Sequence, residues 1–300
     1  MARRYPSGAA DPLPTSYCPE LDVTEELVGD ELSYFHSQIG ILRWFVELGR
    51  IDIITEVSCL ALCLALPRKG RLEAVFHLFA YLNKKHNGVI VLDPTYPDID
   101  LRKFNDGVDW KNIYGDFEKP RSPDAPPPRG KTLITRLFVD SDHVGDVLTR
   151  RSRTGFIIYL NGAPVVWYWK RMGTVETSVF GSEFVAMKVG FEACRGLRYK
   201  LRMMGVPIDE LFYCYGHNMS VIQNSQNRES TLKKKSNSIC YHNIRECVAM
   251  GEAMTAHIRS EENPAEICTK LMSGGEKRNR IVSNILYYYD NEQDVIQEQG

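Results

Sequence analysis

Four positions in the second half of the chain carry side chains suited to hard-cation chemistry or conspicuously at odds with it. They are Asp140 in FVDSDHVGD, Glu183 in FGSEFVAM, Glu266 in ENPAEICTK and, out of type with the others, His217 in YCYGHNMS. Asp140 ends an apolar run, Glu183 rides an amphipathic helical stretch and Glu266 opens a short helical one, so the acids come from separate elements. Carboxylates gathered in that way are what the small, oxygen-seeking Mg²⁺ ion requires in phosphoryl chemistry. An imidazole adds no negative charge and suits transition metals instead. Each residue also has an ordinary reading: a strand-ending Asp is commonly a solvated turn acid, and a helical Glu a surface residue. Asp142 reads as a near-site or surface acid and His143 as a supporting or exposed group. His257, flanked by apolar residues, reads as a core histidine before a catalytic one.

The elements that must position these residues divide the chain. Residues 1–30 are rich in Pro, Gly and acids and read as an irregular arm. Phe35, Ile39, Leu42 and Val46 follow 4-3-4 spacing, Ile53, Val57, Leu60 and Leu64 repeat it, and Leu72, Phe76, Phe79 and Leu82 give a third helix closed by Asn87-Gly88. VIVLD then reads as a strand, and residues 31–115 form a mostly helical segment. Five prolines in residues 116–130 mark a linker. Residues 131–272 change period: LITRLFVD ends at Asp140, and GFIIYL and APVVWYW flank an Asn161-Gly162 hairpin turn. A helix from about Ser178 to Met204, a strand at LFYCY, a helix from Met219, another through YHNIRECVAMG, a strand near MTAHI and a helix after Pro264 follow. That order is a mixed α/β layer. Residues 273–300 read as a partly helical tail.

Composition is that of an ordinary globular protein: 300 residues, 43% hydrophobic, 25% charged and a formal net charge of −1. Near-neutrality argues against a chain that coats nucleic acid non-specifically, so a nucleic-acid surface must be local. The start lacks the apolar core of a secretory signal, and no stretch has the uninterrupted apolar length of a membrane span. A cytoplasmic or nuclear location, no secretion and no membrane partner are expected. The eight cysteines form no CxxC pair and read as buried or free thiols rather than disulfides or a zinc site.

The motifs LFVDSDHVGD, RRSRTGFIIYLNGAPVVW, SVFGSEFVAMKVG, YGHNMSVI, SICYHNIRE and ENPAEICTKL, in that order, resemble the ribonuclease H domain of Ty1/copia-type retrotransposon polyproteins. The stretch from YFHSQIGILRW to AVFHLFAYLNKKHNG resembles the segment that connects reverse transcriptase to that domain. The resemblance implies a ribonuclease H-like mixed five-stranded sheet with flanking helices, preceded by a mostly helical connection segment. It also implies a terminal fragment of a Pol polyprotein, unable to polymerise DNA alone, whose capsid, protease, integrase and polymerase parts lie upstream.

The implied activity is hydrolysis of the RNA strand of an RNA/DNA hybrid by two metal ions, Mg²⁺ with Mn²⁺ as the alternative, and a reverse transcriptase is the implied partner. Carried over by position, Asp140 would bridge both ions, Glu183 would bind one and Glu266 would stand where the family has Asp. His217 replaces the Asp that precedes Asn218 in the family's GDN. Met172 and Ser238 replace a usual Gln and Asp. His217 and the longer Glu266 imply an impaired Mg²⁺ site, with Asp142 or Asp146 as possible rescuers.

Arg151, Ser152, Arg153, Thr154 and Asn218 are the expected nucleic-acid contacts. Ten basic residues against three acids between 148 and 202 suggest a phosphate-binding face. Trp167 and Trp169 could stack near a sugar or simply pack, and Lys233-Lys234-Lys235 reads as a solvated loop. Two functions follow: a ribonuclease H-type endonuclease, or an inactive relic that binds hybrid nucleic acid or a reverse transcriptase. Both expect Asp140, Glu183, His217 and Glu266 to face one cleft, and the helical segment to pack as a separate unit.

Overall fold

The computed structural model describes residues 9–105, 109–115, 122–232 and 235–289. Parts of the expected arm, linker and tail, together with Lys233 and Lys234, lie outside the described residues.

Helix α1 (Gly29–Glu47) buries Phe35, Ile39, Leu42 and Val46, the face its 4-3-4 spacing predicts. Helix α2 (Ile54–Ala61) buries Val57 and Leu60, whereas Leu64 lies past its end and is only partly buried. Helix α3 (Lys69–Lys84) buries Leu72, Val75, Leu78 and Leu82. Phe76 and Phe79, expected on that face, are only partly buried, because the buried face includes Val75 and Leu78 in their place. The expected VIVLD strand shrinks to β1 (Gly88–Val89), which pairs antiparallel with Tyr287–Tyr288; the rest of VIVLD has no strand to pair with. After the single turn α4 (Lys111–Tyr114), residues 122–130 are irregular.

The sheet is built from β2 (Leu133–Asp142), β3 (Arg153–Leu160), β4 (Ala163–Arg171), β5 (Ile208–Gly216) and β6 (Ala253–His257), in the spatial order β4-β3-β2-β5-β6. The first three form an antiparallel meander, and β5 and β6 run parallel to β2. The β3–β4 hairpin pairs Leu160 with Ala163 across a two-residue turn, and Asn161 supplies its positive φ of 53°. Helices α5 (Val179–Met203), α6 (Met219–Gln226) and α7 (Ser238–Ala249) connect the later strands, and α8 (Glu276–Ser283) and β7 (Tyr287–Tyr288) follow. A short 3-10 turn, Pro264–Cys268, replaces the α-helix expected after Pro264. This is the ribonuclease H-like α/β arrangement, a mixed five-stranded sheet with flanking helices.

Alternation along the strands supplies two cores. Leu137, Val139, Phe156 and Ile158 face Phe184 and Phe191 of α5. Phe138, Ile157 and Tyr159 face the other way and join the core of α1, α2 and α3. The helical segment therefore does not pack as a separate unit: it covers the apolar sheet face that water would otherwise meet. The union is also polar, since Thr55 Oγ1 donates to the Ile267 carbonyl at 2.7 Å and Arg278 Nη2 to the Asp52 carbonyl at 2.7 Å. Trp167 and Trp169 pack against this same core, and Trp167 Nε1 donates to the Val46 carbonyl at 3.0 Å. The tryptophans thus serve packing, the second of their two expected roles. Among the described residues no helix is long and apolar enough to cross a membrane.

Candidate metal centre

Asp140 sits near the end of β2, which runs two residues further than expected, and its register partner is Gly155 of β3. That glycine is a steric requirement: a Cβ there would lie 2.6 Å from Thr269 Cγ2 and 2.7 Å from the Cys268 carbonyl. The bare backbone lets the Pro264–Cys268 turn lie against the sheet beside Asp140. Buried Asn263 fixes the turn, donating from Nδ2 to the Val139 carbonyl at 2.9 Å while Oδ1 accepts from Ala265 N at 3.1 Å. Glu183 projects from the first turns of α5, whose start is capped by Ser178. Gly190 brings that helix close to β2, since a Cβ there would meet Val139 Cγ1 at 2.9 Å. His217 follows the last residue of β5, and Asn218 spends its side chain capping α6, accepting from Val221 N at 3.2 Å.

Three of the four expected residues converge. His217 Nδ1 lies 2.9 Å from Asp140 Oδ1, and Nε2 lies 3.5 Å from Glu183 Oε1. Neither contact is a directed hydrogen bond: His217 Nδ1 and Glu183 Oε1 are both buried atoms without a hydrogen-bond partner. Asp140 is fully buried and Glu183 2% exposed, whereas the His217 side chain is 23% exposed and stands at the mouth. Glu266 is drawn into a neighbouring knot. Its Oε1 takes Lys270 Nζ at 3.2 Å and the Ser260 hydroxyl, and its Oε2 takes Lys277 Nζ at 2.7 Å. Lys270 Nζ also reaches Asp140 Oδ1 at 3.3 Å, and Thr269 Oγ1 donates to Asp140 Oδ2.

These contacts set the charges. Burial, then the Asp140 charge, pushes the Glu183 carboxyl up to about 8, with His217 and Lys270 opposing. Burial works against the charge of Asp140 too, but His217, Lys270 and Thr269 outweigh it and hold that carboxyl below its ordinary range. The Asp140 contact raises the imidazole of His217, against burial and with help from Glu183.

Asp140, Glu183 and His217 each offer one ligand atom, all within 4.8 Å of one another. Two carboxylates, one with an orphaned buried oxygen, and an imidazole could hold one divalent ion. They fit a pair of Mg²⁺ ions poorly, because Glu266 is occupied by two ammonium groups and His217 brings no negative charge. The neighbouring acids are engaged elsewhere: Asp142 pairs with Arg153 at 3.3 Å, and Asp146 pairs with Arg171 and caps Thr149 N.

The expected nucleic-acid contacts are mostly turned inward. Ser152, Arg153 and Thr154 are buried, Ser152 against His143 at 3.4 Å and Thr154 within the β3–β4 pairing; Arg151 is half-buried. Part of the basic excess is engaged within the chain. Arg171, Lys188 and Arg195 pair with Asp146, Glu192 and Glu252, and buried Arg198 donates to the Asp209, Glu210 and Leu211 carbonyls. Met172 is buried beside Ser152, and Ser238 opens α7. Sequence reasoning missed Thr269, Lys270 and Lys277. The signal was present in ENPAEICTK, where Lys270 lies four residues after Glu266.

No family model matches the chain. It is 28% identical over 143 residues, 48% of its length, to the retrovirus-related Pol polyprotein from transposon TNT 1-94 of Nicotiana tabacum. It is 24% identical over 145 residues to the corresponding polyprotein of transposon RE2 of Arabidopsis thaliana. The matched stretches span 11% and 10% of those polyproteins, so the chain corresponds to a small part of them. Among solved structures, the N-terminal RNase H domain of a Mycobacterium tuberculosis protein aligns over 51% of this chain and 96% of its own, with 8% identity and a TM-score of 0.36. LC11-RNase H1 in complex with RNA/DNA hybrid aligns over 45% and 93%, with 16% identity and a TM-score of 0.37. Those scores leave the fold assignment resting on the strand order itself. Over about half its length the chain is similar to retrovirus-related Pol polyproteins of plant transposons, and its strand order is that of a ribonuclease H-like fold.

Proposed function

We propose that this domain derives from an RNA/DNA-hybrid endoribonuclease and that its activity is impaired by His217. The observation that carries the reading is the place of His217, between Asp140 and Glu183 at the mouth of an otherwise buried acid cluster. Divalent ions would supply water activation and stabilisation of the leaving oxygen in such a hydrolysis. The chain's own residues do the rest. Thr269 and Lys270 orient Asp140 and keep it charged. Glu183 holds a proton at neutral pH, its carboxyl lying at about 8, and must release it before binding a cation. The imidazole brings no negative charge to a place where negative charge is needed, and the Asp140 contact favours its protonated form. An RNA/DNA hybrid as substrate and a reverse transcriptase as partner, in the cytoplasm or nucleus, complete the reading.

The test is cleavage of a labelled hybrid in Mg²⁺ and in Mn²⁺. His217→Asp is expected to raise the rate by about two to three decades, the equivalent of about 3 to 4 kcal/mol of transition-state stabilisation. Adding Glu266→Asp is expected to raise it further. A repaired protein that binds hybrid and cleaves it in neither metal sinks the enzyme reading. That result leaves the second reading, a hybrid-binding relic, which the internal neutralisation of Glu266 by two lysines favours.

A further inference from the structure

We propose that the outward face of α1 is the interface through which two copies of this chain associate, as an antiparallel helix pair about a two-fold axis. The inference is independent of hybrid cleavage and of the metal centre. Helix α1 carries two stripes, of which Phe35, Ile39, Leu42 and Val46 are spent on the core. The other stripe is Tyr34, Ser37, Ile41, Trp44 and, just past the helix end, Leu48. It follows the 3-4-3-4 spacing of a helix-pairing seam and lies about a third of the circumference away from the first. Ile41, Trp44 and Leu48 are 42%, 64% and 67% exposed, with Phe45 beside them at 38%; Tyr34 is 39% exposed although its ring neighbours Phe76. At those exposures the apolar side chains leave on the order of 500 Å² uncovered, the upper part of the range for the largest apolar patch on a soluble monomer and a large share of the about 800 Å² that each partner gives to a standard interface.

Gly40 is the second observation. A glycine in the middle of a helix is destabilising relative to alanine and has its use where another backbone must come close. Among the described residues nothing comes close: a Cβ at Gly40 would meet no atom within 4 Å. The sequence of the seam says what fits there. Turned through a two-fold axis at the level of residue 39, Tyr34 of one copy falls on Trp44 of the other and Ser37 falls on Ile41. Large rings then pair at both ends, and a small side chain meets a branched one in the middle. On one flank Gly40 faces its own counterpart, and on the other Gln38 does the same, as an amide pair able to exchange hydrogen bonds. No charge meets its like at the axis, and the antiparallel arrangement sets opposite poles of the two helix dipoles side by side. One chain supplies both halves of the contact.

The test is sedimentation equilibrium and light scattering of the full chain over a range of concentrations. A monomer–dimer equilibrium with a Kd on the order of micromolar, the weak end for a contact of this size, is expected. A monomer throughout, or growth beyond a dimer, overturns the proposal. Trp44→Glu and Ile41→Glu alter exposed side chains and should each weaken association at least about tenfold with unchanged circular dichroism, because buried apolar anchors dominate such interfaces. A dimer that survives both changes intact overturns the proposal. Leu148→Glu, at another exposed leucine in the loop between β2 and β3, is the control and should leave Kd unchanged. An equal loss there marks indiscriminate apolar association and also overturns it. Gly40→Ala moves two readouts in opposite directions. It should raise the melting temperature of the monomeric Trp44→Glu protein, since alanine is the better helix former. In the otherwise unaltered chain it should weaken the dimer at least about tenfold, because the added methyl overpacks a close backbone contact. A Gly40→Ala chain that dimerises as well as the parent overturns the antiparallel register and the proposal with it. None of these readouts depends on hydrolysis, so a failure here is distinct from a failure to cleave hybrid.

Discussion

Two buried glutamates, Glu183 beside the sheet and Glu56 in α2, carry oxygens with no hydrogen-bond partner, yet only one of them belongs to a candidate ligand site. Glu56 is 1% exposed and sealed beneath α8, and Arg278 Nη1, 3.9 Å away, is its ion-pair partner. The surrounding donors are committed elsewhere: Arg50 grips Asp52 through two bonds of 2.9 and 2.8 Å, Tyr81 donates to Asp52 at 2.7 Å, and Arg278 caps the Asp52 carbonyl. Burial then pushes the Glu56 carboxyl up to about 7, with Arg278 opposing. Glu183 is equally dry, but its neighbours are another carboxylate and an imidazole with a route to solvent. An orphaned acid becomes a site only where its neighbours can share a cation with it. Elsewhere it is tolerated by taking up a proton.

The sharpest way to break this comparison is to move both glutamates and read hydrolysis. In the His217→Asp background, Asp140→Asn is expected to remove hybrid cleavage, a loss of about two to three decades. Glu56→Gln in that background should leave the rate unchanged, and a comparable loss there would dissolve the distinction. The next effect is on stability against pH. The folded carboxyl of Glu56 lies at about 7, above its unfolded value, so the folded state keeps a proton that the unfolded chain has released. Its contribution is fully present below the unfolded pKa and is lost as pH rises through about 7. Glu183 acts with the same sign up to about 8. Urea midpoints should therefore fall between pH 5 and pH 8 by the equivalent of up to about 3 kcal/mol for each group, and Glu56→Gln should remove its own share.

Smaller effects probe the framework around the two acids. Arg278→Met deprives both Glu56 and the Asp52 carbonyl of their partner, and a loss of about 2 kcal/mol in urea unfolding is expected. Trp167→Phe keeps most of the packing and removes the bond to the Val46 carbonyl, for about 1 kcal/mol. If that change were silent, the docking of α1 on β4 would be apolar alone.

The α1 face and the Asn161-Gly162 hairpin were legible because local spacing and turn chemistry decide them. The docking of the helices was harder, although the evidence lay in β2 and β3. Phe138 beside Val139, and Ile157 beside Ile158, are apolar on both faces, the pattern of a strand covered twice. Charges were the least legible. Arg153 and Arg198 look like solvent-facing bases in a list of residues, but tertiary structure buries them and gives each an internal partner. Lys270 was visible at helical spacing from Glu266, and only the 3-10 turn pressed onto Gly155 brings it to Asp140 as well.

The turn at 264–268 and helix α8 touch residues far behind them in the chain: Ile267 meets Thr55 across 212 positions, and Arg278 meets Asp52 across 226. These segments leave the ribosome after the helices and strands they complete. Until then Asp140 lacks Lys270, and Asp52 lacks Arg278. Contacts of such sequence separation form slowly, because a long loop must close before any energy is returned. The growing chain can therefore fold its helices and its β-meander first, while both charged clusters wait for residues 264–283 to arrive. Maturation of the acid cluster and locking of the helical segment become one event, timed by synthesis of those residues.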